Sequence, residues 1–181
     1  YARAAEDVAG LPRTRGGAIG LADVIAGVEA TVLVGLSTAA GAFTEAIVRA
    51  MAAKTPRPVI FPLSNPTARA EARPEDLIRW TDGRALVATG SPCPPAVLGG
   101  RAWIISQCNN VFIFPAVGLG VAAAGSRRVS DGMLLAAARR LAELSPALTD
   151  PAASLLPPLG ELRSVAVEVA CAVAEAAVRE G

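Results

Sequence analysis

Two adjacent amides, Asn109 and Asn110, stand where a short polar run meets the apolar run at residues 111–115. An amide side chain carries both donors and acceptors, so a pair of amides suits a ligand that carries both kinds of group. Burying such groups without partners costs free energy. One amide can cap the helix that follows, but a cap needs only one side chain. The other amide is therefore predicted to face a ligand.

The groups that usually transfer protons are almost missing from this chain. It has no histidine, and Lys54 and Tyr1 are its only lysine and tyrosine. General acid–base catalysis is usually carried by these residue types or by a tuned carboxylate, and the acids here are scattered. We therefore assign no catalytic residue and expect the chain to hold an incomplete catalytic apparatus.

The three cysteines, Cys93, Cys108 and Cys171, lie far apart without metal-type spacing. Their odd number argues against a disulfide framework and favours a reducing, cytoplasmic setting. Cys108 has no histidine or lysine near it in sequence, so it is predicted to be a small buried filler rather than a nucleophile. We predict no metal site on this chain.

Composition excludes some partners. The chain of 181 residues is 52% hydrophobic and 18% charged, with a net charge of +1 and 4% aromatic residues. Without a basic stripe or aromatic platforms, nucleic-acid binding has no support. Glycine, proline or charge interrupts each apolar stretch before it reaches the ~20 residues of a membrane span. No signal peptide opens the chain.

Short apolar runs alternate with helical patterns, which predicts a doubly wound parallel α/β sheet followed by C-terminal helices. The predicted strands are residues 31–35, 58–63 and 85–90, with a weaker fourth at 102–105. The predicted helices are residues 44–53, 74–80, a buried one at 113–124, and two amphipathic ones at 131–144 and 162–178. The proline-rich stretch 146–158 is predicted to be a surface loop within a domain.

Ligands of open α/β sheets bind outside the carboxyl ends of the strands. The predicted strand ends carry the loop 35–41, the Ser64–Thr67 segment and the Gly90–Pro92 segment. Each has a plainer interpretation. Glycines at 35 and 41 permit tight turns or close packing, and Asn65-Pro66 is an ordinary turn pair. Lys54 fits a solvated charge at a helix C-terminus.

A complete G-x-G-x-x-G dinucleotide fingerprint is missing. Gly118-Leu119-Gly120 falls inside an apolar helical run, where its expected role is close helix packing. If the chain binds a dinucleotide, the pyrophosphate loop is expected to precede Tyr1.

Several motifs, taken in order, resemble the malic enzymes from about Glu29 onward. They are VGLS at 34–37, GAFTE at 41–45, RPVIFPLSNPT at 57–67, ATGSP at 88–92, QCNNVFIFP at 107–115 and LPPL at 156–159. The QCNN form, with the turn at Leu144–Pro146, is most similar to the bacterial NAD-linked branch. Residues 1–181 then form the C-terminal portion of an NAD(P)-binding domain, with the catalytic N-terminal domain and the glycine fingerprint outside the chain.

The resemblance implies oxidative decarboxylation of (S)-malate to pyruvate and carbon dioxide. NAD, or alternatively NADP, accepts the hydride, and Mg²⁺ or Mn²⁺ is bound by residues outside this chain. It implies that Gly35, Leu36, Ser37 and Asn65 lie along the cofactor, and that Asn65, Asn109 and Asn110 line the malate pocket. The implied partners are the upstream half of the same enzyme and further copies, as a dimer or tetramer.

Some residues depart from the family pattern. Thr38, Ala39 and Ala40 replace a more glycine-rich loop, and Cys93-Pro94 stands where an aromatic residue is common. We expect these departures to change packing more than role. Two alternatives to the enzyme stay open: a non-catalytic nucleotide-binding fragment, and an oligomerisation module made of the last two helices.

Overall fold

The computed structural model describes residues 3–14 and 16–181, so Tyr1 lies outside the described residues. The chain forms two compact units, residues 1–102 and 103–181, and each is described by itself. Within the described residues, no helix combines the length and apolar character that crossing a membrane requires.

The first unit is built on a parallel sheet. Strands β1 (Val32–Gly35), β2 (Val59–Pro62) and β3 (Leu86–Thr89) lie side by side in that order, with β1 at the edge. Val32 is opposite Val59, which is opposite Leu86. The helices that join successive strands are α2 (Glu45–Lys54) and α3 (Pro74–Trp80), and α1 (Leu21–Gly27) precedes them. The predicted α/β architecture is confirmed.

Local signals explain where the linking helices begin and end. Thr44 caps α2 by accepting a hydrogen bond from the backbone N–H of Ile47, and Pro74 occupies the first turn of α3 as predicted. Lys54 ends α2, but it is more than a solvated charge. Its Nζ donates to the carbonyls of Ile25, Ala26 and Val28 at 2.9, 2.7 and 3.2 Å, so it holds the end of α1 against α2.

The predicted fourth strand at 102–105 is partly right, because a strand lies at Arg101–Trp103 but does not join the parallel sheet. Strands β4 (Ala96–Leu98) and β5 (Arg101–Trp103) pair with each other in a separate two-stranded sheet. Gly99 and Gly100 both have positive φ, at 57° and 80°, which a tight two-residue hairpin turn requires. The Gly-Gly pair between two short apolar runs is the signal that the sequence analysis missed.

The second unit is helical. After the two-residue strand β6 (Ser106–Gln107), it contains α4 (Phe114–Ala124), α5 (Asp131–Glu143) and α6 (Leu162–Glu180). Its buried core draws on all three helices. The prediction that α4 is buried is only half right, because Phe114 and Leu119 are exposed. The stretch 146–158 was predicted to be a surface loop. It begins with the 3₁₀ turn Pro146–Leu148 and is partly buried at Ala147 and Ala152, and Leu156 N–H donates to Ser106 Oγ at 2.8 Å.

Close helix packing is confirmed for Gly120 but not for Gly118. A Cβ added at Gly120 would lie 2.7 Å from both the Ala170 carbonyl oxygen and Val173 Cβ, whereas one at Gly118 would meet nothing within 4 Å. The missing side chain at Gly120 therefore lets α4 approach α6.

Candidate functional site

Two polypeptide segments at the carboxyl ends of β1 and β2 are joined along their length. We call residues 36–43 the first loop and residues 64–71 the second loop. Thr38 N–H donates to Ser64 Oγ at 2.9 Å, Gly41 N–H to the Ala70 carbonyl at 3.2 Å, and Phe43 N–H to the Glu71 carbonyl at 3.0 Å. The two loops therefore form one connected layer at the sheet edge where α/β proteins bind ligands.

The carboxylate of Glu71 lies at the centre of this layer and is fully buried. Its Oε1 accepts hydrogen bonds from Ser37 N–H (2.9 Å), Ser37 Oγ (2.9 Å) and Ser64 Oγ (2.6 Å). Its Oε2 lies 3.4 Å from Ser64 N–H. One buried carboxylate therefore ties the start of the first loop to the start of the second.

These hydrogen bonds decide the ionisation of Glu71. Burial by itself raises the pKa of the carboxyl group, but the bonds from Ser64 and Ser37 outweigh it, and the pKa lies below its ordinary value. Glu71 is thus a buried anion stabilised by neutral donors.

Sequence reasoning missed Glu71. Its neighbours are alanines, Ala70 and Ala72, and its hydrogen-bond partner Ser37 is distant along the chain. The available signal was a lone acid among small residues between a turn and a helix. Its importance is visible only once the loops are folded together.

Gly35 makes room for this carboxylate. A Cβ at Gly35 would lie 2.4 Å from Glu71 Cδ, and the glycine is buried at the end of β1. The close-packing interpretation of Gly35 is therefore supported by geometry. Leu36, the next predicted cofactor residue, is instead strongly exposed, at 75%.

Thr38, which stands where the family has a more glycine-rich loop, adopts a backbone conformation that favours glycine. Its φ is 56°, in the left-handed region that favours glycine, where another residue costs about 1 kcal/mol. Thr38 Oγ1 donates to the Ser37 carbonyl at 2.7 Å, and its N–H is held by Ser64. Local hydrogen bonds thus hold a residue that is not glycine in this conformation.

Asn65 lies at the exposed start of the second loop, joined to Pro66 by a cis peptide bond. Its Oδ1 accepts a hydrogen bond from Ser91 Oγ, which follows β3. Gly90 permits this approach, since a Cβ there would lie 2.2 Å from the Leu63 carbonyl oxygen and 2.8 Å from Asn65 Nδ2. The loop after β3 therefore orients the Asn65 amide.

A cavity of about 670 Å³ adjoins these strand ends within the first unit. Its walls include Ser64, Glu71, Ser91, Cys93 and Trp80. Trp80 Nε1 is buried and has no hydrogen-bond partner among the described residues. The Cys93 thiol lies 3.6 Å from Thr89 Oγ1, and burial raises the pKa of this thiol.

The paired amides lie in the second unit, at its surface. Both Asn109 and Asn110 are exposed. Asn109 Oδ1 accepts a hydrogen bond from Val111 N–H at 3.0 Å and caps the 3₁₀ turn Asn110–Phe112, rather than the helix α4 that one of the two amides was predicted to cap. Cys108 is also exposed rather than a buried filler, because this segment lies on the surface of its unit.

The structure thus brings the predicted cofactor residues Gly35, Leu36, Ser37 and Asn65 to neighbouring strand ends. Asn109 and Asn110 belong to the second unit. Across residues 3–14 and 16–181, no group of three or more metal-ligating side chains of the His, Cys, Asp or Glu type is close enough to hold a metal ion.

Comparison with known families supplies the remaining observation. Residues 1–178 match the sequence profile of the family described as malic enzyme, NAD binding domain. The chain belongs to this family. Relatives of this malic enzyme domain include the NAD-dependent malic enzyme of Edwardsiella ictaluri, which is 54% identical over 169 residues. That of Shewanella oneidensis is 54% identical over 163 residues.

The malic enzyme domain is shorter than these relatives. The two matches cover 93% and 90% of this chain but only 30% and 29% of the relatives. The crystal structure of Entamoeba histolytica malic enzyme superimposes with a TM-score of 0.71 at 25% identity, covering 93% of this chain and 31% of that one. The chain therefore spans about a third of the proteins that it resembles.

Proposed function

We propose that this chain forms the nicotinamide- and malate-facing part of a malic enzyme, which oxidatively decarboxylates (S)-malate to pyruvate and carbon dioxide. NAD accepts the hydride, with NADP as the alternative. The observation that carries the proposal is the family match over residues 1–178, together with 54% identity to NAD-dependent malic enzymes.

The residues at the strand ends suit ligand orientation. Asn65 presents an exposed amide at these strand ends, and Ser91 holds its Oδ1. An N–H donor matches the carboxamide oxygen of nicotinamide or a malate oxygen, and it adds no charge. Asn109 and Asn110 supply further exposed amides for the malate carboxylates and hydroxyl. Positioning of this kind lowers the activation free energy, because the reacting groups are already oriented when the substrate is bound.

Proton transfer belongs to residues outside the chain in this proposal. Lys54 is the only lysine, and three carbonyls already occupy its ammonium group. In this proposal Mg²⁺ or Mn²⁺ is bound by residues of the enzyme outside this chain; residues 3–14 and 16–181 contain no group of three or more His, Cys, Asp or Glu that could hold it. When bound there, a divalent ion would supply Lewis-acid chemistry for the keto group that hydride loss forms.

The remaining partners are the upstream half of the same enzyme and other copies of it, in a dimer or tetramer. Support for a further covering part comes from β1 at the sheet edge, where Val32, Val34 and Leu36 are exposed. Exposed apolar edges are normally covered in native proteins. We place the enzyme in the cytoplasm, which suits three free cysteines.

A chimera tests the function. The matching segment of the Edwardsiella ictaluri enzyme is replaced by this chain, and malate-dependent NADH formation is measured beside that of the chain alone. We expect activity from the chimera and none from the chain alone. A folded chimera without activity would overturn the proposal, and turnover by the chain alone would overturn the division of labour.

The amide roles are tested in the same chimera. Asn109→Ala should lower kcat/KM for malate by about 10- to 1000-fold, the range expected for one or two lost pocket hydrogen bonds. Asn65→Ala should lower kcat/KM for both NAD and malate. An unchanged kcat/KM for malate in the Asn109 variant would remove that residue from the site.

A further inference from the structure

We propose that Glu71 is the positioning residue of the cofactor site, holding the first loop in the one conformation that accepts the nicotinamide end of the dinucleotide. This inference rests on the proposed function. It starts from a buried anion that belongs to no catalytic group and whose hydrogen bonds all go to the two loops at the strand ends.

Both hydrogen-bond donors of Ser37 point toward the buried carboxylate of Glu71. Both its N–H and its hydroxyl donate to Glu71 Oε1. Ser37 is predicted to lie along the cofactor, but its donors are engaged below the loop. Its contribution is therefore the position of the backbone, and Glu71 fixes that position.

Five further backbone amides of the first loop also donate hydrogen bonds within the protein. The N–H groups of residues 38, 39, 41, 42 and 43 donate to Ser64 Oγ, Ser37 Oγ and the carbonyls of Ala70, Ala39 and Glu71. A phosphate-binding loop needs its backbone N–H groups free to point at the anion. A loop with these donors engaged and a carboxylate beneath it disfavours phosphate. It suits the uncharged carboxamide and ribose or the cationic ring of oxidised nicotinamide.

The absence of a side chain at position 35 leaves space for the Glu71 carboxylate. Gly35 leaves the space that Glu71 fills. Ser64 Oγ donates to Glu71 and accepts from Thr38 N–H, so it links Thr38 to the carboxylate. The left-handed backbone at Thr38 thus depends on a chain of bonds that begins at Glu71. Loss of the carboxylate releases Ser37, Ser64 and Thr38 together.

The test compares two substitutions in the active chimera. Glu71→Ala removes every bond and should raise KM for NAD by about 10- to 100-fold, the loss expected for hydrogen bonds to a buried charge. Glu71→Gln keeps an oxygen for Ser37 and Ser64 but removes the charge, so it should recover part of the affinity. KM for malate, measured at saturating NAD, should change less than KM for NAD in both variants.

Thr81→Val is the matched control for a purely structural effect. Thr81 is fully buried in the same unit, and its Oγ1 bonds the Leu77 carbonyl at 2.7 Å and Ala85 N–H at 3.2 Å. This variant should lower the thermal midpoint yet leave KM for NAD unchanged. If Glu71→Ala lowers the midpoint and also leaves KM for NAD unchanged, the positioning role is overturned.

Two outcomes keep this test separate from that of the proposed function. An inactive parent chimera refutes the function, whereas an active parent with unaffected Glu71 variants refutes only the role of Glu71. If Glu71→Ala does not fold, Ser37→Ala replaces it. That variant removes one donor and should raise KM for NAD by about 3- to 10-fold; no change would count against the proposal.

Discussion

At the scale of single residues, the paired amides and the buried carboxylate differ in their surroundings. Asn109 and Asn110 are exposed, and one of them caps a turn. Glu71 is fully buried and gathers donors from two loops. An ionised group in such a place stabilises the fold only while its donors stay in position.

The stability contributed by Glu71 should depend on pH. Its pKa in the folded state is lowered, so the contribution is full above the ordinary carboxyl pKa and is lost as the pH falls through the folded-state value. We expect Glu71→Gln to lower the free energy of unfolding by about 1–3 kcal/mol at neutral pH. The difference from wild type should shrink under acid conditions.

Urea unfolding of both proteins across a pH series, followed by circular dichroism, measures this difference. The other carboxylates are common to both proteins, so the comparison isolates Glu71. A difference that stays constant through the acid range would show that the pKa of Glu71 is the same in the folded and unfolded protein, and would contradict this prediction.

At the scale of elements, helix α4 offers two glycines with opposite requirements. Gly120 faces α6 without room for a Cβ, whereas Gly118 has open space around it. Gly120→Ala should destabilise the protein by about 1–3 kcal/mol through overpacking. Gly118→Ala should stabilise it by up to about 1 kcal/mol because alanine is the better helix former.

Thermal unfolding midpoints of the two variants decide this prediction, and each glycine serves as the control for the other. For a chain of this size, 1 kcal/mol corresponds to roughly 2–4 °C. A higher midpoint for Gly120→Ala would mean that the contact between α4 and α6 is not as tight as described, whereas a lower midpoint for Gly118→Ala would contradict the open space at that position.

The elements that the sequence predicted are those whose signals are local. The strand β2 is marked by an apolar run and α3 by Pro74 followed by acids, and both appear near their predicted positions. The β4–β5 hairpin was not predicted, because its two strands are each only three residues long and give little hydrophobic periodicity. Glu71 was missed for a different reason, since its partner Ser37 comes near only through the pairing of β1 with β2.

At the scale of the whole molecule, this malic enzyme domain has an edge that its own described residues leave open. Val32 and Val34 alternate with buried residues on β1, and both are about half exposed. An edge strand with exposed apolar side chains can pair with another chain.

The isolated chain should therefore self-associate through β1. Val34→Lys places a charge at this edge and should lower the mean mass measured by light scattering. Val178→Lys, at an exposed position near the end of α6, is the matched control and should leave the mass unchanged. Equal masses for wild type and the Val34 variant would assign the association to another surface.

The space shared by Gly35 and Glu71 also constrains how the family can diverge. The glycine is required only while the carboxylate fills the volume above it. A lineage that replaces Glu71 with a smaller residue becomes free to gain a methyl group at position 35. The two positions should therefore covary among homologues, and Gly35→Ala should act as a second-site suppressor of Glu71→Ser.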